Sequence, residues 1–150
     1  NSAARRLAEV AQPLLRQLGI GLVPFSPLGR GFLTGTAKRA EEYPEGDFRK
    51  GDPRYQGENF DANMRAASSV RAVAGRKGAT PGQVALAWLL QRGDDIVPIP
   101  GTKRRTYLEE NVGAADVTLT PDDLARLDDL RPAGTRAAQA HWTNLDTPVA

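Results

Sequence analysis

Residues 20–33, IGLVPFSPLGRGFL, and residues 95–111, DIVPIPGTKRRTYLEEN, decide how the chain is read. Each opens on a short apolar run and passes at once into a segment bearing Gly and Arg. A short continuous apolar run next to helical patterning reads as a strand buried on both faces. The spacing therefore predicts strands over 20–25 and 95–100.

Outward from these runs the pattern is helical. Leu7, Val10, Ala11, Leu14, Leu15 and Leu18 recur at helical spacing, with Gly19 as a stop. Pro13 belongs in a first turn or at a kink. Met64, Ala67, Val70, Val73 and Ala74 predict a helix over 61–77 that stops at Gly78. Thr80-Pro81-Gly82-Gln83 is a helix start: Thr80 caps, Pro81 takes the first position and Gln83 reaches back. Val84, Ala87, Trp88 and Leu89 follow, Trp88 as a core residue, and Gly93 ends the helix. The segment after Thr102 predicts a helix through Leu108 and Val112, closing near Gly113. Thr120-Pro121-Asp122-Asp123 opens the last helix, stapled by Leu119 and Leu124 and ending near Arg131. Residues 26–60 keep no period and read as a long loop, the kind that usually serves a function.

Strands alternating with helices imply a parallel sheet and an α/β class. Two strands alone hide neither their edges nor their faces. The chain is therefore expected to be part of a larger sheet or barrel, with a domain over 1–131 and a tail over 132–150.

Composition narrows the function. Among 150 residues, 20 Lys and Arg face 18 Asp and Glu, a net charge of +2, which is no coat for nucleic acid. With no Cys there is no disulfide, thiol chemistry or Cys-based metal site, and the lone His141 builds no cage of its own. No run approaches the roughly 20 apolar residues of a membrane helix. No signal peptide is visible, which points to the cytoplasm. The only Met is Met64, so the chain is expected to have lost its start or to be a piece of something longer.

Ligands of α/β folds gather beyond the C-terminal ends of parallel strands. There, Ser26 offers a hydroxyl, Gly29 and Gly31 let backbone N–H groups approach an anion, and Arg30 adds charge. A tight surface turn has the same composition. After the second run, Lys103, Arg104 and Arg105 fall in the expected first helical turn, the wrong end for cations. A bound phosphate turns that penalty into a gain; a solvated cationic surface is the plain alternative. Two such segments after neighbouring strands match the phosphate sites of barrels.

The phrases PFSPLGRGFLTG, DFRKGDPRYQGENF, KGATPGQVALAWLLQRGDDIVPIPGTKRRTYLEENVGA and LTPDDLARLDDL resemble the C-terminal half of the aldo-keto reductase family, over about residues 14–131. The resemblance implies the C-terminal portion of a (β/α)8 TIM barrel, incomplete here, that binds NADPH without a Rossmann motif. Residues 20–25 and 95–99 become its seventh and eighth strands. It implies that Phe25 packs on the nicotinamide, that Ser26, Leu28, Arg30 and Gly31 line the pyrophosphate, and that Gly101, Thr102, Lys103 and Arg104 hold the 2′-phosphate. Glu110 and Asn111 meet the adenine, and residues 30–60 border the substrate mouth. The family's catalytic Asp, Tyr, Lys and His have no match in this chain.

The function so implied is NADPH-dependent reduction of small aldehydes or ketones to alcohols, this chain supplying the cofactor half, alone or with self-association or a missing N-terminal half. The rival is an inactive barrel fragment that binds a nucleotide or a partner.

Overall fold

The computed structural model describes residues 11–135; the readings placed on residues 1–10 and on His141 lie outside them. A helix, α1, occupies residues 11–17 and carries Pro13 within it. Gly19 follows at φ 66°, the left-handed conformation that a glycine accepts without penalty. The remaining helices are α2 (Gly57–Lys77), α3 (Pro81–Leu90), α4 (Arg105–Val112) and α5 (Pro121–Asp128).

The expected strands are corrected to something shorter. Among the described residues, 20–25 and 95–100 meet only at two isolated parallel bridges, Leu22 with Ile96 and Phe25 with Ile99. Leu22 N donates to Asp95 O at 2.7 Å, and Val97 N donates to Leu22 O at 2.9 Å. The order and the parallel sense are as expected. The ladder is thin because Pro24, Pro98 and Pro100 carry no N–H. A two-stranded parallel pair is also marginal by itself. Ile20, Val23, Phe25, Val97 and Ile99 are all about half exposed, so this pair leaves apolar surface uncovered.

The loop over 26–60 is not structureless either. It contains 3-10 turns at Gly29–Gly31, Ala40–Glu42, Phe48–Lys50 and Pro53–Tyr55. Asp47 and Asp52 cap the last two by accepting from Arg49 N and Arg54 N. It also has a core of its own: Phe32, Ala40, Tyr43 and Tyr55 pack with Phe60 of α2. Phe32 lies 4.8 Å from the Tyr55 ring, which meets Tyr43 edge-on. Period-based reading misses such a segment, because single-turn helices and an aromatic cluster leave no repeat.

The main core lies between α2, α3 and α5. Val70, Val73 and Ala74 face Val84 and Ala87 of α3, with Leu119 and Leu127 closing the far side. Both capping boxes form: Thr80 and Gln83 exchange bonds at the start of α3, and Thr120 and Asp123 do so at the start of α5. Leu124 packs against the same cluster as Leu119, as the staple requires. Asp123 is buried and takes Arg76 at 2.9 Å and Lys77 at 2.8 Å, pinning the end of α2 to the start of α5. Those cations, Lys77 first, hold its carboxyl far below the usual carboxylate range. Trp88 is partly buried on the core, donates to Asp128 Oδ1 at 2.8 Å and lies under Arg92. α5 ends at Asp128, three residues before Arg131.

Candidate anion-binding site

The Phe25–Ile99 bridge brings the ends of the two runs side by side, so the segments beginning at Ser26 and Gly101 leave from neighbouring points. Ser26 has φ 52° and Arg30 φ 54°, the two non-glycine residues with positive φ among those described. Each such conformation costs about 1–2 kcal/mol and marks strain held by its surroundings. Leu28 (φ −90°, ψ 7°) precedes Gly29 (φ 63°), the kind of alternation from which anion-binding backbone turns are built, with Gly29 N itself donated to Ser26 O at 3.1 Å. Gly31, at φ 110°, has a further duty. A Cβ there meets Thr36 Oγ1 at 3.0 Å and Ala37 N at 3.3 Å, and the Gly31 carbonyl accepts from both Thr36 N and Ala37 N.

The Arg30 guanidinium reaches Asp52 Oδ2 at 3.5 Å and covers the Phe48 ring at 4.8 Å. Asp52 is buried. The Arg30 carbonyl accepts from the Tyr55 hydroxyl at 2.7 Å. Phe25 presents a half-exposed ring at the start of the turn.

On the other segment Gly101, Thr102, Lys103 and Arg104 are all exposed. α4 begins at Arg105 with Arg104 as its N-cap, and no side chain caps it. The expected first-turn trio is thereby spread out: only Arg105 is inside the helix, where it pairs with Glu109 at 2.7 Å. Arg104 N donates to Thr102 Oγ1 at 3.1 Å, and the Arg104 guanidinium stands 5.8 Å from the Tyr107 ring. Neither Lys103 nor Arg104 has a carboxylate within ion-pair range among the described residues. An uncapped helix start with two uncompensated cations beside it is a ready receiver for phosphate.

Glu110 and Asn111 lie in the last turn of α4, both half-buried. Glu110 Oε1 accepts from Thr80 Oγ1 at 2.7 Å, and its carbonyl accepts from Gln83 Nε2 at 3.0 Å. The start of α3 thus braces the end of α4. Gly82 sits at the junction: a Cβ on it would stand 3.5 Å from Glu110 Oε1 and 3.6 Å from Leu28 Cδ2. The turn after the first run and the helix after the second converge there. Sequence reasoning found the Thr80 cap but not its link to Glu110, which local spacing does not encode. It also missed Asp52 and Tyr55; the signal available was the Asp52-Pro53 turn start.

An open groove of about 440 Å³ lies elsewhere, at Arg16, Gly19, Ile20, Gly21, Asp94 and Asp95. That is where the two runs begin, the face that serves stability in strand-and-helix barrels. Arg16 ties α1 to this end through Asp95 at 2.9 Å and lowers the Asp95 pKa.

Two bridged parallel segments that lead into a left-handed turn and a helix start have the layout at which α/β folds hold ligands. The Aldo/keto reductase family model matches residues 3–132, and the chain belongs to that family. It is similar to "Aldo-keto reductase yakc [NADP(+)]" of Schizosaccharomyces pombe, 54% identical over 105 residues, which covers 70% of this chain and 31% of that protein. It is 43% identical over 142 residues to "Probable aldo-keto reductase 1" of Glycine max, covering 95% of this chain and 41% of the relative. The chain therefore spans less than half the length of these curated relatives. Among solved structures, the glycerol dehydrogenase AKR11B4 of Gluconobacter oxydans superposes with a TM-score of 0.75 at 21% identity, covering 89% of this chain and 41% of that one. The thermostable aldo-keto reductase Tm1743 superposes with 0.54 at 25% identity, covering 79% and 32%. These likenesses support an α/β fold. No helix among the described residues is long and apolar enough to cross a membrane.

Proposed function

We propose that this chain is the cofactor-binding, C-terminal portion of a (β/α)8 carbonyl reductase that uses NADPH to reduce small aldehydes or ketones to alcohols. The observation that carries the reading is the adjacency of the two segments: Phe25 is bridged to Ile99, so the Ser26 turn and the stretch leading into α4 leave from neighbouring points, and Leu28 and Glu110 both border Gly82. The donor set fits the group. An uncapped α4 start with Lys103 and Arg104 free of carboxylates among the described residues suits a 2′-phosphate, and the left-handed turn over 29–31 suits a pyrophosphate. The relative named for NADP(+) points the same way.

NADPH, when bound, supplies the hydride. Each residue of this chain has a part in binding and orienting. The Phe25 ring offers a flat apolar face at the mouth of the turn, suited to stacking on the nicotinamide. Ser26, Leu28, Arg30 and Gly31 shape the pyrophosphate turn. Gly101, Thr102, Lys103 and Arg104 hold the 2′-phosphate end, and Glu110 and Asn111, braced by Thr80 and Gln83, border the adenine. Reducing a carbonyl also needs a proton donor beside the oxygen. Tyr43 and Tyr55 are buried in the loop core and Tyr107 lies on α4. The donor is assigned to the rest of a longer protein, which would also cover the apolar faces of Ile20, Val23, Val97 and Ile99.

The burial of Tyr43 and Tyr55 in the loop core keeps both phenols from a substrate, which favours a second reading, a binding module without turnover. Following NADPH consumption by the full-length protein against a panel of aldehydes separates the two. Substrate-dependent consumption is expected. Tight NADPH binding without turnover selects the module, and no binding removes the reading.

A further inference from the structure

We propose that Tyr55 is a positioning residue for the anion-binding turn: its hydroxyl, donated to the Arg30 carbonyl, holds the left-handed backbone that receives the pyrophosphate. This rests on the cofactor reading above and assigns a role to a residue outside the expected site.

Arg30 sits at φ 54°, ψ 38° between two glycines of positive φ. An L-residue adopts that conformation only where the surroundings over-determine it. The turn's own bonds, Gly29 N to Ser26 O and Leu33 N to Leu28 O, leave the Arg30 carbonyl to other partners. The tie to it comes from Tyr55, 25 residues away, at 2.7 Å. Tyr55 is a firm anchor. It is 1% exposed and packed against Phe32 and Tyr43, and it closes a 3-10 turn that Asp52 caps through Arg54 N at 3.0 Å. Asp52 takes the Arg30 guanidinium as well, so one short turn grips Arg30 by its carbonyl and by its side chain. Burial pushes the Tyr55 phenol up to about 12, so it stays a donor throughout the physiological range. The ring does the packing and the hydroxyl fixes the turn, which makes the two roles separable.

The test uses Tyr55→Phe in the full-length protein, which keeps the ring contacts. Binding of NADPH is compared with binding of 2′-AMP, a probe that has the 2′-phosphate but neither phosphate of the pyrophosphate. NADPH affinity should fall about three- to tenfold, the loss expected for one buried hydrogen bond. Affinity for 2′-AMP should stay within about twofold, since that end belongs to α4. Glycine takes the left-handed conformation freely. In an Arg30→Gly background, therefore, Tyr55→Phe should cost nothing further. The proposal is overturned if Tyr55→Phe binds NADPH like the unaltered protein, if both probes weaken equally, or if the loss persists in the glycine background. If the unaltered protein binds no NADPH, the cofactor reading falls, and this proposal with it.

Discussion

Removing Lys103 or Arg104 separates a phosphate-binding role from a plain basic surface. Both side chains are exposed, and neither has a carboxylate partner among the described residues. Each therefore faces a phosphate with nothing to give up. Two unit charges about 4 Å apart gain roughly 1 kcal/mol in water and about 4 kcal/mol near a protein surface. Exposure puts these residues toward the lower end, at about 1–2 kcal/mol each, or roughly five- to thirtyfold in affinity. The loss applies to NADPH alone, because NADH lacks the 2′-phosphate. Lys103→Ala and Arg104→Ala are each titrated by nicotinamide fluorescence with both dinucleotides, at low and at moderate salt. NADPH should weaken by that factor, more at low salt, and NADH should hold within about twofold. Without ligand, the same variants should be slightly more stable, by about 0.3 kcal/mol, since a cation beside a helix start is unfavourable. Equal losses for both dinucleotides, or none for either, would refute the reasoning.

Two further outcomes follow from the scaffold. Asp123→Asn removes a buried carboxylate from Lys77 and Arg76 and should cost about 2 kcal/mol at pH 7 by chemical denaturation. The Asp123 pKa is depressed in the folded chain, so its stabilisation is complete above the unfolded value near pH 4 and fades as pH falls through the folded value. The gap between the two proteins should therefore narrow below about pH 4, and a gap that is constant with pH counts against the ion pairs. Gly31→Ala places a Cβ 3.0 Å from Thr36 Oγ1 at φ 110° and should lower stability by about 1–3 kcal/mol in thermal melts, together with NADPH affinity. An unchanged melt would mean that the turn relaxes freely.

The sequence made some layers of this structure plain and left others dark. Capped helix starts at Thr80 and Thr120 are local chemistry, written within four residues, and both form as read. The parallel order of the two apolar runs was also readable, because a helix-rich connection between them favours it. Their thinness follows from Pro24, Pro98 and Pro100, whose missing N–H groups break the ladder that the apolar pattern alone predicts. The loop over 26–60 looked unstructured because its order comes from aromatic stacking and capped single turns, neither of which has a period. The contacts that join the site are long-range: Thr80 to Glu110, and Tyr55 to Arg30. Spacing along the chain says nothing about such pairs. The resemblance carried by PFSPLGRGFLTG and PIPGTKRRTYLEEN reached the family, and the family model bears it out.

Amide hydrogen exchange of the full-length protein with and without NADPH bears most directly on whether one dinucleotide spans both segments. The account predicts protection at the turn over residues 26–33 and at residues 101–108 together, saturating at the same NADPH concentration. Protection of one segment only, or none at either while NADPH is bound, would contradict it.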